Sequence, residues 1–363
     1  MLKRMREATR LTRAGRLQDA TAVIQRTLRG ADGAGRHTRP PVEHAPARVH
    51  STVTRTERTE RSERSEWSDG TVPLPAGPAT IAGGRFVDAS LTTAAGARSY
   101  KVFVPGAPPQ TAMPLVVMLH GCTQDADDFA IGTRMNALAD RHGIVVAYPE
   151  QSRQANPSRC WNWFDPADQR RDRGEPSIVA EIARSVRASA HVDPARVHVA
   201  GMSAGGAMAA IMGAVYPDVF AAVGVHSGLA HGAATDLSSA LQAMKRGAAG
   251  PLPPGRGAPT ITFHGDRDPT VHHRNAEQVL RQATAHVPHP LLTVHERAAT
   301  GGRDATRYVY RAPDGTTLAE GWAIHGLGHA WSGGDPAGSH TDPNGPDASA
   351  EMLRFFAEHP HRR

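Results

Sequence analysis

The chain has 363 residues, 39% of them hydrophobic, and a formal net charge of +6, enough for one large α/β domain with appendages or for two domains. The charge is uneven: residues 1–70 hold 15 Lys/Arg against 9 Asp/Glu, and the remainder is balanced at 26 of each. The basic character therefore belongs to an N-terminal tail and says nothing about the core, and no apolar run approaches the roughly 20 residues that span a bilayer.

The tail comes first. Met1 to Arg6 is basic but lacks an uninterrupted apolar run behind it, so no ordinary secretory signal is visible. Met5, Ala8, Leu11, Leu17, Ala20, Val23, Ile24 and Leu28 recur at roughly helical spacing. Residues 1–29 are accordingly expected to be an amphipathic helical segment, broken at Ala14-Gly15-Arg16. Residues 30–79 are rich in Gly, Pro, Arg, Ser and Thr, and Thr54 to Glu66 nearly repeats Arg, Thr or Ser, and Glu. With little to bury, they read as a disordered linker. A solvated arm is expected of such a tail rather than a nucleic-acid partner.

The globular part, residues 80–363, begins near Ala79. Tyr100–Val104 alternates and reads as a strand closed by Pro105. Leu115–His120 and Ile144–Pro149 are continuous apolar runs, as strands buried on both faces of a parallel sheet require. A helix is expected around Arg134–Arg141. Ile178, Ile182 and Val186 mark another, ending at Val192-Asp193-Pro194. Val197–Ala200, Phe220–His226 and Pro259–His264 supply further strands, and Ala348–His359 a final amphipathic helix. Strands alternating with helices predict a doubly wound, mostly parallel sheet with helices on both faces. Chemistry in such sheets gathers at the carboxyl ends of the strands.

At one of those ends stands Gly201-Met202-Ser203-Ala204-Gly205, between a strand and an Ala/Gly/Met-rich helix. That is the layout of a nucleophile elbow, which exposes the serine hydroxyl at a sharp turn. Such a serine needs an acid and then a histidine, in that chain order. His264-Gly265-Asp266-Arg267-Asp268 offers two carboxylates. Asp266 reads as a turn residue bonding its own backbone, and Asp268, further into the loop, as the acid. Among the late histidines, His325 closes an apolar run and His340 lies in a polar loop. His329, flanked by glycines and beside Trp331, suits a mobile imidazole in a cleft. Its role would be to take the Ser203 proton and hand it to the leaving alkoxide. Two backbone N–H groups must face the developing oxyanion: Ala204, after the nucleophile, and Cys122, in the His120-Gly121-Cys122-Thr123 loop after an early strand.

The chain has two cysteines, Cys122 and Cys160. They read either as unrelated buried thiols or as a bridge that would imply an oxidising compartment. Trp161, Trp163 and Trp331 lie next to the site motifs and read either as core or as walls of a substrate pocket. No metal cluster, phosphate loop or dinucleotide fingerprint is visible, so neither metal nor cofactor is expected.

Five ordered motifs carry a family resemblance: Leu119-His120-Gly121-Cys122-Thr123-Gln124, Cys160-Trp161-Asn162-Trp163-Phe164, Gly201-Met202-Ser203-Ala204-Gly205-Gly206, His264-Gly265-x-x-Asp268-x-x-Val271, and Gly328-His329-Ala330-Trp331-Ser332-Gly333-Gly334. Together, over roughly residues 85–359, the chain resembles the polyhydroxybutyrate depolymerase-type esterases, α/β-hydrolases related to feruloyl and acetylxylan esterases. The resemblance implies Ser203 as nucleophile, Asp268 as acid, His329 as base, and Cys122 at the oxyanion hole bridged to Cys160. It implies polyester, oligomer, aromatic or sugar esters as substrates and an extracellular or periplasmic location; without a visible signal, a cytoplasmic one stays open. A Thr/Ser-rich linker to a C-terminal polymer-binding domain is not seen. Residues 1–29 could take that part on a polymer granule or lipid surface. The alternative of another class is a catalytically silent hydrolase-fold binding protein.

Overall fold

The computed structural model describes residues 83–107, 111–255, 258–297 and 302–361. The expected amphipathic segment 1–29 and linker 30–79 lie outside these described residues. The described residues belong to one compact unit.

Its centre is a ten-stranded sheet. The strands are β1 (Arg85–Thr93), β2 (Gly96–Val104), β3 (Met113–Leu119), β4 (Val145–Pro149), β5 (Val192–Met202), β6 (Ala222–His226), β7 (Thr260–Gly265), β8 (Leu291–Arg297), β9 (Ala305–Arg311) and β10 (Thr317–Ile324). Their spatial order is β1-β2-β4-β3-β5-β6-β7-β10-β9-β8. The six central strands, β4 to β10 in that order, run parallel. Antiparallel pairs flank them on both sides.

The apolar runs become central strands because both of their faces are covered. Leu115, Val117, Leu119, Val197 and Val199 face one core. There they meet α3 (Gly174–Ser189) through Ile178, Ile182 and Val186, and α4 (Ala204–Val215) through Met208, Ile211 and Met212. The alternate residues Val116, Met118, Ala200 and Met202 face a second core. That core is closed by α1 (Ala126–Thr133), α2 (Met135–His142) and α7 (Ala348–Glu358). Asp125 caps α1 and Asp347 caps α7 by accepting backbone N–H bonds. α5 (Leu237–Arg246) and α6 (Arg274–Thr284) complete the first face. A two-stranded ladder joins β11 (Trp331–Ser332) to β12 (Thr341–Asp342).

One boundary moves. α3 ends at Ser189, and Val192-Asp193-Pro194, expected to terminate that helix, already begins β5. Among the described residues no helix is long and apolar enough to cross a membrane.

Candidate active site

Three loops leave the carboxyl edge of the parallel strands, after β5, β7 and β10. After β5 the chain turns at Ser203 with φ 55° and ψ −118° before entering α4. This sparsely populated conformation costs about 1–3 kcal/mol and holds the side chain at the rim. The flanking glycines are required by contact. A β-carbon on Gly205 would lie 2.0 Å from the Leu119 carbonyl oxygen, and one on Gly201 would lie 2.4 Å from the Gly205 backbone. Strand, turn and helix can close this tightly only without side chains there.

Asp268 follows β7 and His329 follows β10, and β7 and β10 are neighbours in the sheet. His329 Nδ1 and Asp268 Oδ2 are 2.7 Å apart. The other carboxylate oxygen accepts the backbone N–H groups of Thr270 and Val271, each at 2.8 Å. The Asp268 side chain is fully buried and His329 is 13% exposed. Burial pushes the Asp268 carboxyl up, but the hydrogen bond and charge of His329 and the Val271 N–H outweigh it, leaving it below its usual value. Asp268 is thus an anion whose bonds fix the His329 proton on Nδ1 and turn Nε2 outward.

Asp266 has a different place from the one expected. Among the described residues its carboxylate accepts no bond from its own turn. It pairs instead with His325 Nδ1 at 3.0 Å and with the Gly326 N–H at 2.8 Å. It therefore stitches the acid loop to the histidine loop. Gly265 allows this approach, since a β-carbon there would lie 2.1 Å from the Leu327 carbonyl oxygen. His340 is exposed, and its carbonyl oxygen takes the Trp331 N–H.

The loop after β3 passes beside the elbow, with a β-carbon on Gly121 falling 3.6 Å from Ser203 Cβ. His120 pins this loop. Its Nε2 accepts the Gln151 N–H at 3.0 Å, so the neutral ring carries its proton on Nδ1 and donates it to the Gly121 carbonyl at 2.7 Å. In a trans peptide the C=O and N–H point oppositely, so anchoring the Gly121 carbonyl fixes the direction of the Cys122 N–H. Among the described residues no protein acceptor takes the N–H of Cys122 or of Ala204.

Cys122 and Cys160 form a disulfide. The Cys160 loop is further held by Glu175, which accepts from Gln151 Nε2, from the Asn162 N–H at 2.8 Å and from Asn162 Nδ2 at 2.7 Å.

The three indoles are buried side chains. Trp161, Trp163 and Trp331 are 0%, 5% and 1% exposed. Trp161 Nε1 donates to the His120 carbonyl and Trp331 Nε1 to Ser349 Oγ. They are core residues that brace the site loops from behind; their bulk is better used in the two cores than at the rim.

His226 has a part that the sequence reading did not assign. Its carbonyl accepts the Ser203 N–H at 2.9 Å. Its Nε2 accepts the Ser332 N–H at 3.0 Å, and its ring stacks on Trp331. One buried residue thus ties the elbow to the segment that follows His329. The available signal was a histidine closing the strand next to the elbow strand.

A turn-borne serine at the centre of a mostly parallel sheet, with an acid and an imidazole delivered by two later strands, is the arrangement of the α/β-hydrolase fold. An acetyl xylan esterase from Aspergillus awamori has this fold, superposing with a TM-score of 0.57 at 18% identity over 75% of this chain and 99% of that one. A family model described as esterase PHB depolymerase matches residues 98–286, and the chain belongs to that family. Among curated relatives, poly(3-hydroxyalkanoate) depolymerase C of Paucimonas lemoignei is 36% identical over 239 residues, covering 62% of this chain and 56% of the relative. Feruloyl esterase B of Neurospora crassa is 38% identical over 132 residues, covering 36% and 44%. The chain spans about half the length of these relatives.

Proposed function

We propose that the protein is a serine carboxylic-ester hydrolase acting through an acyl-enzyme on Ser203. The observation that carries this reading is the 2.7 Å bond between His329 Nδ1 and buried Asp268, on the strand edge where the elbow exposes Ser203. With Nδ1 committed to Asp268, His329 Nε2 takes the Ser203 Oγ proton as Oγ adds to the ester carbonyl. The oxyanion is met by the N–H groups of Cys122 and Ala204. His329 then gives its proton to the leaving alkoxide, the ester C–O bond breaks, and an acyl ester remains on Ser203. Water, deprotonated by the same imidazole, repeats the sequence and releases the acid.

The substrate class is proposed from the family and the named relatives: hydroxyalkanoate polyester or its oligomers. A feruloyl or acetylxylan type of ester is the second reading, favoured by the feruloyl esterase relative. The Cys122–Cys160 bridge supports an oxidising, extracellular or periplasmic location. The segment 1–29 as a granule-contact element stays a separate proposal, tested by deleting residues 1–75 and measuring polymer binding.

A fluorophosphonate probe tests the chemistry. Wild-type protein is expected to label and Ser203→Ala is not; folded wild type that stays unlabelled would point to a silent binding protein. A panel of 3-hydroxybutyrate oligomers, solid polymer, methyl ferulate and acetylated xylan then assigns the ester. Turnover confined to the last two would overturn the polyester reading.

A further inference from the structure

A trough of about 600 Å³ lies on the sheet face beside the acid loop. Its floor follows from strand register. Thr262 and His264 of β7 stand opposite Gly321 and Ala323 of β10, and Gly321 stands opposite Tyr308 of β9. The two small residues leave the middle of the floor without bulk. Half-buried Tyr308 rises on one side and α6, through Leu280, on the other. Leu280 leans over Gly321, where a β-carbon would lie 2.6 Å from its Cδ1.

Two polar atoms under this cover, Thr262 Oγ1 and His264 Nδ1, are buried and have no hydrogen-bond partner among the described residues. The state of the imidazole is fixed by its other nitrogen. His264 Nε2 is 2.7 Å from the Val271 carbonyl oxygen, so it carries the proton and Nδ1 offers only a lone pair. A buried acceptor without a donor is costly, and the donor that suits it is a hydroxyl. The same Nε2 lies 3.5 Å from Asp268 Oδ2, so the floor of the trough touches the acid from behind.

We propose that this trough is a second ligand site, distinct from the Ser203 elbow, for a hydroxyl-bearing aromatic amphiphile. The ligand's O–H donates to His264 Nδ1 and accepts from Thr262 Oγ1, and its ring lies over Gly321 and Ala323 against Tyr308. Leu280 turns aside to admit it. The volume is in the range of small-molecule sites. A donor on Nδ1 polarises the ring and strengthens Nε2–H toward Val271 and Asp268, so occupancy is felt at the acid. The site does not depend on which ester is hydrolysed.

The test uses the full chain, with 4-propylphenol as probe and 4-propylanisole as the probe without a donor. Calorimetry is expected to show one site for the phenol and at least about tenfold weaker binding of the anisole. Histidine ring 15N–1H spectra should show the His264 resonances moving on saturation. Ala323→Leu, which fills the floor, and Tyr308→Ala, which removes a wall, should each weaken the phenol about tenfold or more while unfolding near the wild-type temperature. Should Ala323→Leu fail to fold, the nearly isosteric Thr262→Val is the substitute, with a loss of about threefold expected. Equal binding of phenol and anisole, wild-type affinity in the folded variants, or shifts at His329 without shifts at His264 would each overturn the proposal.

Discussion

Among the described residues four histidines, His120, His198, His226 and His264, are at most 3% exposed, and they set how the protein answers acid. Burial pushes His120 and His264 down to about 4, His198 to about 3, and His226 well below its usual value. Each folded-state value lies below that of the unfolded chain, so the unfolded chain binds these protons first. The stability they allow is present above about pH 6.5 and is lost as pH falls toward 4, at about 3 kcal/mol for each of His120 and His264. Glu175 acts oppositely. Burial, then the charge of Asp168, raise it to about 7, so its contribution is present below about pH 4.5 and is lost as pH rises through 7. The four bases outweigh the carboxyls that burial raises, Glu175, Asp168 and Asp347, and stability is expected to peak near neutrality and fall steeply below about pH 6. Urea midpoints from pH 4 to 8 check this. In His198→Leu, which removes a base whose Nδ1 has no partner among the described residues, the acid slope should flatten by about one proton. At the candidate triad, Asp268→Asn keeps the shape of the side chain but loses the anion that fixes the His329 tautomer. Its kcat on a soluble ester should fall on the order of 10⁴-fold, with a circular dichroism spectrum like the wild type.

Elements carry the next level of specification, and they differ in how openly the sequence announces them. The central strands are legible because burial on both faces demands continuous apolar runs such as Leu115–Leu119. β10, the strand that delivers His329, is less so. It contains Glu320 and Gly321 where an apolar run would be expected. Its burial becomes tolerable only in the fold, where the Glu320 carboxylate, 2% exposed, is held by Arg307 at 2.7 Å and Arg354 at 2.7 Å. No local pattern foretells partners from β9 and α7. The same limit applied to Asp266, whose partners lie about 60 residues away, and to the three indoles, whose bulk fits equally well behind a site or around it. In the candidate site the sharp turn at Ser203 and the pairing of Asp268 with His329 were legible, because the elbow glycines and the order of serine, acid and histidine are local or ordinal features. Glu320→Ala removes the buried acceptor shared by Arg307 and Arg354, while Arg354 keeps Glu351 and Glu358, so it should cost about 1–3 kcal/mol, read by urea denaturation. The loops after β3 and β4 depend on their covalent tie, whose cysteines are 38 residues apart. Closing a loop of that length restricts the unfolded chain by about 4 kcal/mol. Cys160→Ser is therefore expected to lose about 2–4 kcal/mol and to lower kcat more than it raises KM, since the loop bearing the Cys122 N–H loosens. Dithiothreitol should reproduce the loss in the wild type and leave the variant unchanged.

At the scale of the whole molecule the sheet divides its labour between centre and margins. The six parallel strands present every loop of the candidate site at one edge, while the outer pairs β1–β2 and β9–β8 extend the sheet sideways. β8 is a margin with exposed Leu291, Leu292 and Val294; edge strands of this kind are prone to pairing with other chains. The excursion from acid to base takes the chain out through β8 and β9 and back through β10, yet Asp268 and His329, 61 residues apart, still meet. They meet because β10 inserts directly beside β7. The turn between β9 and β10, at exposed Asp314-Gly315, lies on the returning limb of that excursion, and Gly315 takes φ 85° there. A short flexible insertion between these two residues should leave ester turnover and thermal stability near wild type, measured side by side. The tip of the detour is thus set apart from the spacing of the site. Sequence added at that exposed turn is expected to leave the distance between acid and base unchanged, because their spacing is kept by the neighbourhood of two strands rather than by the length of chain that joins them.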